Sequence, residues 1–166
     1  PAANSIKRHI IDPNNADALN NFGVFLCSQG KFSSAKEYYL KALQQSDYIR
    51  AAETYENMGL CALETEQKNE AVGYLESALN HDPNRRKSLY ALTEHFINQQ
   101  QTDSASPYLA NLMKLTPLTA DSIWLAYRMA KLQHQPQVAE RWLQQMLNSF
   151  PDSPRSRAYL EKKVND

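Results

Sequence analysis

Five carboxylates, Glu53, Glu56, Glu64, Glu66 and Glu70, fall in one stretch of the chain, and paired carboxylates are what general acid–base chemistry needs. They cluster loosely, and solvated helix faces account for them better than an acid–base pair does. The four histidines, His9, His81, His95 and His134, show no HExxH and no metal-ligand spacing. No G-x-S-x-G, phosphate-binding glycine loop or dinucleotide fingerprint is present. The residues therefore predict no catalysis, no metal and no cofactor. Cys27 and Cys61 are the other reactive pair, 34 residues apart. If they lie on neighbouring helices, an oxidising compartment would join them and close a loop that stabilises by about 4 kcal/mol. In a reducing compartment they would be free thiols packing as small apolar side chains.

What positions those residues follows from composition and period. The chain has 166 residues, with Lys plus Arg and Asp plus Glu both at 18, so its formal charge is zero. A nucleic-acid partner dominated by phosphate contacts would need a basic surplus, so none is expected. A hydrophobic fraction of 42% fits a folded, helix-rich chain, and no apolar run approaches the length of a membrane span.

Pro83, Pro117 and Pro151 recur at intervals of 34 residues, each after one helical pattern and before the next, and Pro13 plays the same part earlier. Numbering each unit with its proline at position 32 sets units at 16–51, 52–85, 86–119 and 120–153, the first being two residues longer around QQSDYIRA. Positions 8, 20 and 27 are then Gly23, Ala35, Ala42; Gly59, Ala71, Ala78; Thr93, Ala105, Leu112; and Tyr127, Ala139, Met146. Large residues such as Leu19, Phe22, Tyr39, Tyr55, Met58 and Leu75 fill positions 4, 7 and 24. Antiparallel helices approach closely where a small residue faces a bulky one, which offsets the roughly 1 kcal/mol that a helical glycine costs. The pattern resembles the tetratricopeptide repeat, a helix–turn–helix of this length. It predicts an all-α fold of antiparallel helix pairs wound into a right-handed superhelix. Residues 1–15 read as the end of a truncated preceding repeat, with a helix over 6–12. The fourth unit reads as divergent, because Tyr127 and Met146 replace small residues, and 154–166 reads as a polar capping helix.

In this architecture the first helix of each unit lines a concave wall. That wall would carry Asn20, Asn21 and Val24; Glu53, Glu56, Asn57 and Leu60; Lys87, Tyr90, Glu94 and Ile97; and Trp124, Leu125, Arg128 and Lys131. An indole, a phenol and several aliphatics on a wet face suggest a groove for a partner segment. Acidic residues towards one end and basic ones towards the other would fix its direction. The alternative is that Trp124 and Tyr90 pack against the next helix. A clamp for a peptide carboxylate would use Asn21, Asn57 and Lys87, but Asp17 and Ala91 stand where its other cations belong.

NNFGVFLCSQGKFSSAKEYYLKAL, the long connection, YIRAAETYENMGLCALETEQKNEAVGYLESAL and the tail AYRMAKLQHQPQVAERWLQQMLNSFPDSPRSRAYL together resemble the PilF/PilW family of type IV pilus biogenesis lipoproteins. The resemblance implies a non-enzymatic, pilotin-type scaffold on the periplasmic face of the outer membrane. It would be tethered there by a lipid on an N-terminal cysteine that this chain lacks. Its partner would be the secretin subunit, whose localisation and multimerisation it assists, or another pilus component whose assembly it stabilises. The pair Cys27 and Cys61 is similar to the disulfide of some family members. The competing expectation is a cytosolic co-chaperone or regulatory adaptor that holds a peptide in its groove and keeps its thiols free.

Overall fold

A computed structural model describes residues 15–46 and 48–165, with 162–165 as backbone only. Its helices are α1 (Ala16–Ser28), α2 (Phe32–Leu43), α3 (Ala51–Glu64), α4 (Lys68–His81), α5 (Arg86–Asn98), α6 (Thr102–Lys114), α7 (Ala120–Leu132), α8 (Pro136–Ser149) and α9 (Pro154–Asn165). No strand occurs among the described residues. The helix expected over 6–12, with His9 and Pro13, lies outside them.

Local chemistry sets the helix ends. The Asn15 side chain accepts the Ala18 N–H at 3.0 Å to start α1, and Thr119 and Ser122 form a reciprocal cap on α7. Position 15 of every unit takes the left-handed conformation: Gly30 at φ 71°, Glu66 at 63°, Gln100 at 59° and His134 at 56°. The following N–H then reaches back to the preceding helix, as Lys31 to Leu26, Gln67 to Ala62, Gln101 to Phe96 and Gln135 to Ala130, all between 2.7 and 3.0 Å. This closure satisfies the last carbonyls of each first helix and reverses the chain into the second.

The chain divides into two compact units, Pro1–Ser88 and Leu89–Asp166. In the first, α1 packs on α2 and α3 on α4 through the glycines. A Cβ added at Gly23 would lie 2.6 Å from the Tyr39 ring, and one at Gly59 would lie 2.6 Å from Cγ of Leu75. Neither approach leaves room for a methyl group. Burial pushes the Tyr39 phenol up, and the Glu64 charge adds to the shift. Phe32, Ala35, Tyr39, Met58, Cys61, Ala62 and Ala71 form the core here.

In the second unit α7 packs on α8, and the core is Ile123, Leu143 and Met146 with Trp124, Tyr127, Trp142, Phe150 and Tyr159 against it. The position-20 alanines, Ala35, Ala71, Ala105 and Ala139, are buried in both units. The architecture is the all-α tetratricopeptide-repeat fold.

Candidate functional site

In the first unit the expected wall is built by α1 and α3, and its residues separate into two groups. Asn21 is exposed, Val24 is 43% exposed, and Asn57 and Leu60 are half-buried, as is Glu53. Lys87, in the first turn of α5, is exposed. Asn20 and Glu56 correct the expectation, because they are only 1% and 4% exposed. The Asn20 carbonyl oxygen accepts from Thr54 Oγ1 at 3.0 Å and from Asn57 Nδ2 at 3.2 Å, and Tyr48 Oη lies 2.7 Å from the same threonine hydroxyl.

Glu56 accepts from Arg85 at 2.7 Å, from the Ser88 hydroxyl at 2.8 Å and from the Ser88 N–H at 3.1 Å. It thereby caps the first turn of α5 from the side. Burial works to raise its pKa, but the bonds from Arg85 and Ser88 outweigh that and hold the carboxyl below its ordinary 4.5. Both side chains fasten one repeat to the next. Neither is free to meet a partner.

Two of the other carboxylates considered for acid–base work, Glu53 and Glu70, are engaged in ion pairs. Glu53 pairs with Arg50, which also reaches Asp17, and Glu70 pairs with Lys36 and accepts from Tyr74 at 2.8 Å. No group of three or more His, Cys, Asp or Glu able to hold a metal ion occurs among the described residues. The structure does bring Cys27 and Cys61 together, with Cα atoms 5.7 Å apart, within the range that a disulfide spans.

The second unit shows the same division. Ile97 and Leu125, at 2% and 0% exposure, belong to its core and not to an open wall. Trp124 is half-buried, stacks on Tyr127 with ring centres 5.0 Å apart and meets the edge of Tyr159 from α9 at 6.5 Å. The packing alternative therefore holds for Trp124. Tyr90 donates to Glu94 at 3.0 Å and accepts from Arg155 of α9 at 2.9 Å. Burial, with Glu94 beside it, pushes the Tyr90 phenol up to about 12. Arg128 donates to Asn98 at 2.6 Å and lies 3.8 Å from Glu94. Lys131 is exposed.

One exposed apolar residue has no place in the repeat register. Ile49, 94% exposed, projects from the connection that the first unit carries in excess. It flanks an open cleft lined also by Tyr48, Arg50, Glu53, His81, Asp82 and Arg85. The signal for it was a large aliphatic inside a two-residue insertion, where the repeat demands no apolar side chain.

Known proteins share this arrangement. Residues 14–84 match the tetratricopeptide-repeat family. The type IV pilus assembly protein PilF of Pseudomonas aeruginosa is 25% identical over 92% of this chain, which spans 60% of the relative's length. The crystal structure of PilW, described as a widely conserved type IV pilus biogenesis factor, superposes with a TM-score of 0.79 at 26% identity, covering 90% of this chain and 69% of PilW. The solved structure of Pseudomonas aeruginosa PilF gives a TM-score of 0.76 at 24% identity, over 91% of this chain and 68% of that one. With the repeat register, the helix pairing and this likeness in hand, the chain is a tetratricopeptide-repeat protein related to the type IV pilus biogenesis factors PilF and PilW.

Proposed function

We propose that this protein is a non-enzymatic scaffold of type IV pilus biogenesis, acting at the periplasmic face of the outer membrane. There it assists the localisation and multimerisation of the secretin subunit, or the stability of the assembled pilus. The observation that carries this reading is the identity with PilF, which runs through 92% of the chain and so spans both compact units. Exposed first-helix residues, above all Asn21 and Val24 in the first unit and Lys131 in the second, give the scaffold surfaces that its own packing leaves open.

The same reading assigns Cys27 and Cys61 a disulfide, in keeping with an oxidising compartment. It assigns the membrane tether to a lipid on sequence upstream of the chain. Capture of envelope proteins from the source bacterium on the immobilised chain tests the partner. The secretin is the expected catch, and an envelope catch with no secretin and no pilus protein contradicts the proposal. Thiol titration of the denatured, unreduced protein tests the pairing. No reactive thiol is expected, and two would refute the bond.

A further inference from the structure

We propose that α9 is a displaceable strap over the first-helix face of its own unit. A partner docks there by replacing it with a helix that carries an arginine and, four residues later, an aromatic side chain. The proposal rests on the reading that first-helix faces bind a partner.

The contacts of α9 supply the recognition chemistry. Arg155, in its first turn, donates Nε–H to Asp121 at 2.8 Å and Nη2–H to the Tyr90 hydroxyl at 2.9 Å, and it lies 4.0 Å from Glu94. Those three groups stand on α5 and α7, the helices expected to face a partner. Tyr159 is one helical turn further on, so it shares a face with Arg155. Its ring meets Trp124 at 6.5 Å and Tyr127 at 6.2 Å, both edge-on. The face thus offers two carboxylates and a phenol at one end and two rings at the other.

Little holds the strap in place. Over residues 154–161, Ser156 is the single buried side chain, bonded to the Phe150 carbonyl at 2.7 Å, and Leu160 is 46% exposed. The arginine is partly exposed and its ion pairs are water-screened, so they contribute little. Among the described side chains of α9, Tyr159 is the apolar one packed against the core, so the helix opens locally at low cost. Opening would bare Glu94, Asp121, Tyr90, Trp124 and Tyr127 together.

The probe is a fluorescent peptide of residues 150–166, titrated by anisotropy against the full chain and against Arg155→Glu, whose own strap is repelled by Glu94 and Asp121. Emptying a face that is mostly occupied should tighten peptide binding by about tenfold. A peptide carrying Arg155→Glu should not bind. Tyr159→Ala frees the strap from its other end and should act in the same direction.

Equal affinity for wild type and both variants, or no binding to any, overturns the strap. So does a main melting transition that falls by more than about 10 °C in both variants, because α9 would then be part of the core. The probe is the chain's own sequence, so this outcome is separate from whether a secretin is captured.

Discussion

Position 8 of the repeat is filled in opposite ways in the two units. In the first it is glycine twice, and each glycine is the seat of a large side chain from the paired helix: Tyr39 over Gly23, Leu75 over Gly59. In the second it is Thr93 and then Tyr127. The Thr93 hydroxyl turns inward to the Leu89 carbonyl at 2.7 Å. Tyr127 stacks on Trp124 and meets Tyr159, so it fills space that an extra helix has enclosed. One register position can therefore be a hole or a plug. What the neighbouring helix brings decides which.

The largest effect that would break this comparison is Tyr127→Gly. If Tyr127 is a plug, restoring the repeat's small residue should cost about 3 kcal/mol through the cavity and the lost ring contacts, read as a lower urea midpoint. A neutral result would mean that the second unit tolerates either solution.

Next in size is Glu56→Gln, expected to cost about 2 kcal/mol at neutral pH by weakening a buried, fully bonded carboxylate. Its pKa is depressed in the folded chain, so its contribution is present above the unfolded value near 4.5 and is lost as pH falls through the lower folded value. The variant's acid limb should be flatter than wild type's in thermal melts taken from pH 7 downward.

Gly59→Ala sharpens the comparison from the other side. Alanine gains roughly 1 kcal/mol of helix propensity, but the clash with Leu75 should exceed it and leave a net loss of about 1 kcal/mol. Gly73, in α4, has nothing within 4 Å of its added Cβ, so Gly73→Ala should stabilise by roughly 0.5–1 kcal/mol. Opposite signs in the same denaturation assay would separate close approach from propensity. The smallest effect concerns what the units share. His134→Gly or Gln100→Gly, by removing strain at position 15, should each raise stability by about 0.5 kcal/mol, while Gly30→Ala should lower it.

Much of this was legible because helix meshing depends on residue size at fixed register positions. Gly23, Gly59 and the four alanines of position 20 mark the contacts in the sequence itself. The wall was less legible. Asn20 and Glu56 occupy face positions, yet their partners Thr54, Asn57 and Ser88 come from the next repeat and Arg85 from the far end of Glu56's own, 29 to 37 residues away. A register says which side a residue is on. It does not say which polar groups will be consumed in joining repeats. Trp124 read as a groove aromatic because the size of the cavity under α9 depends on where that helix lies. The left-handed turn at position 15 has a sequence signal only at Gly30, since Glu66, Gln100 and His134 adopt it with side chains that give no sign of it.

The proposed function implies a division of labour: buried polar residues of the first helices tie repeats together, which leaves the exposed ones as the proposed partner surface. Titration of purified secretin subunit into the wild-type chain, Val24→Asp and Lys131→Glu tests that most directly, with melting curves taken alongside. The account predicts unchanged melting and affinity weakened by about tenfold in at least one variant. Wild-type affinity in both variants, at any stability, would contradict it.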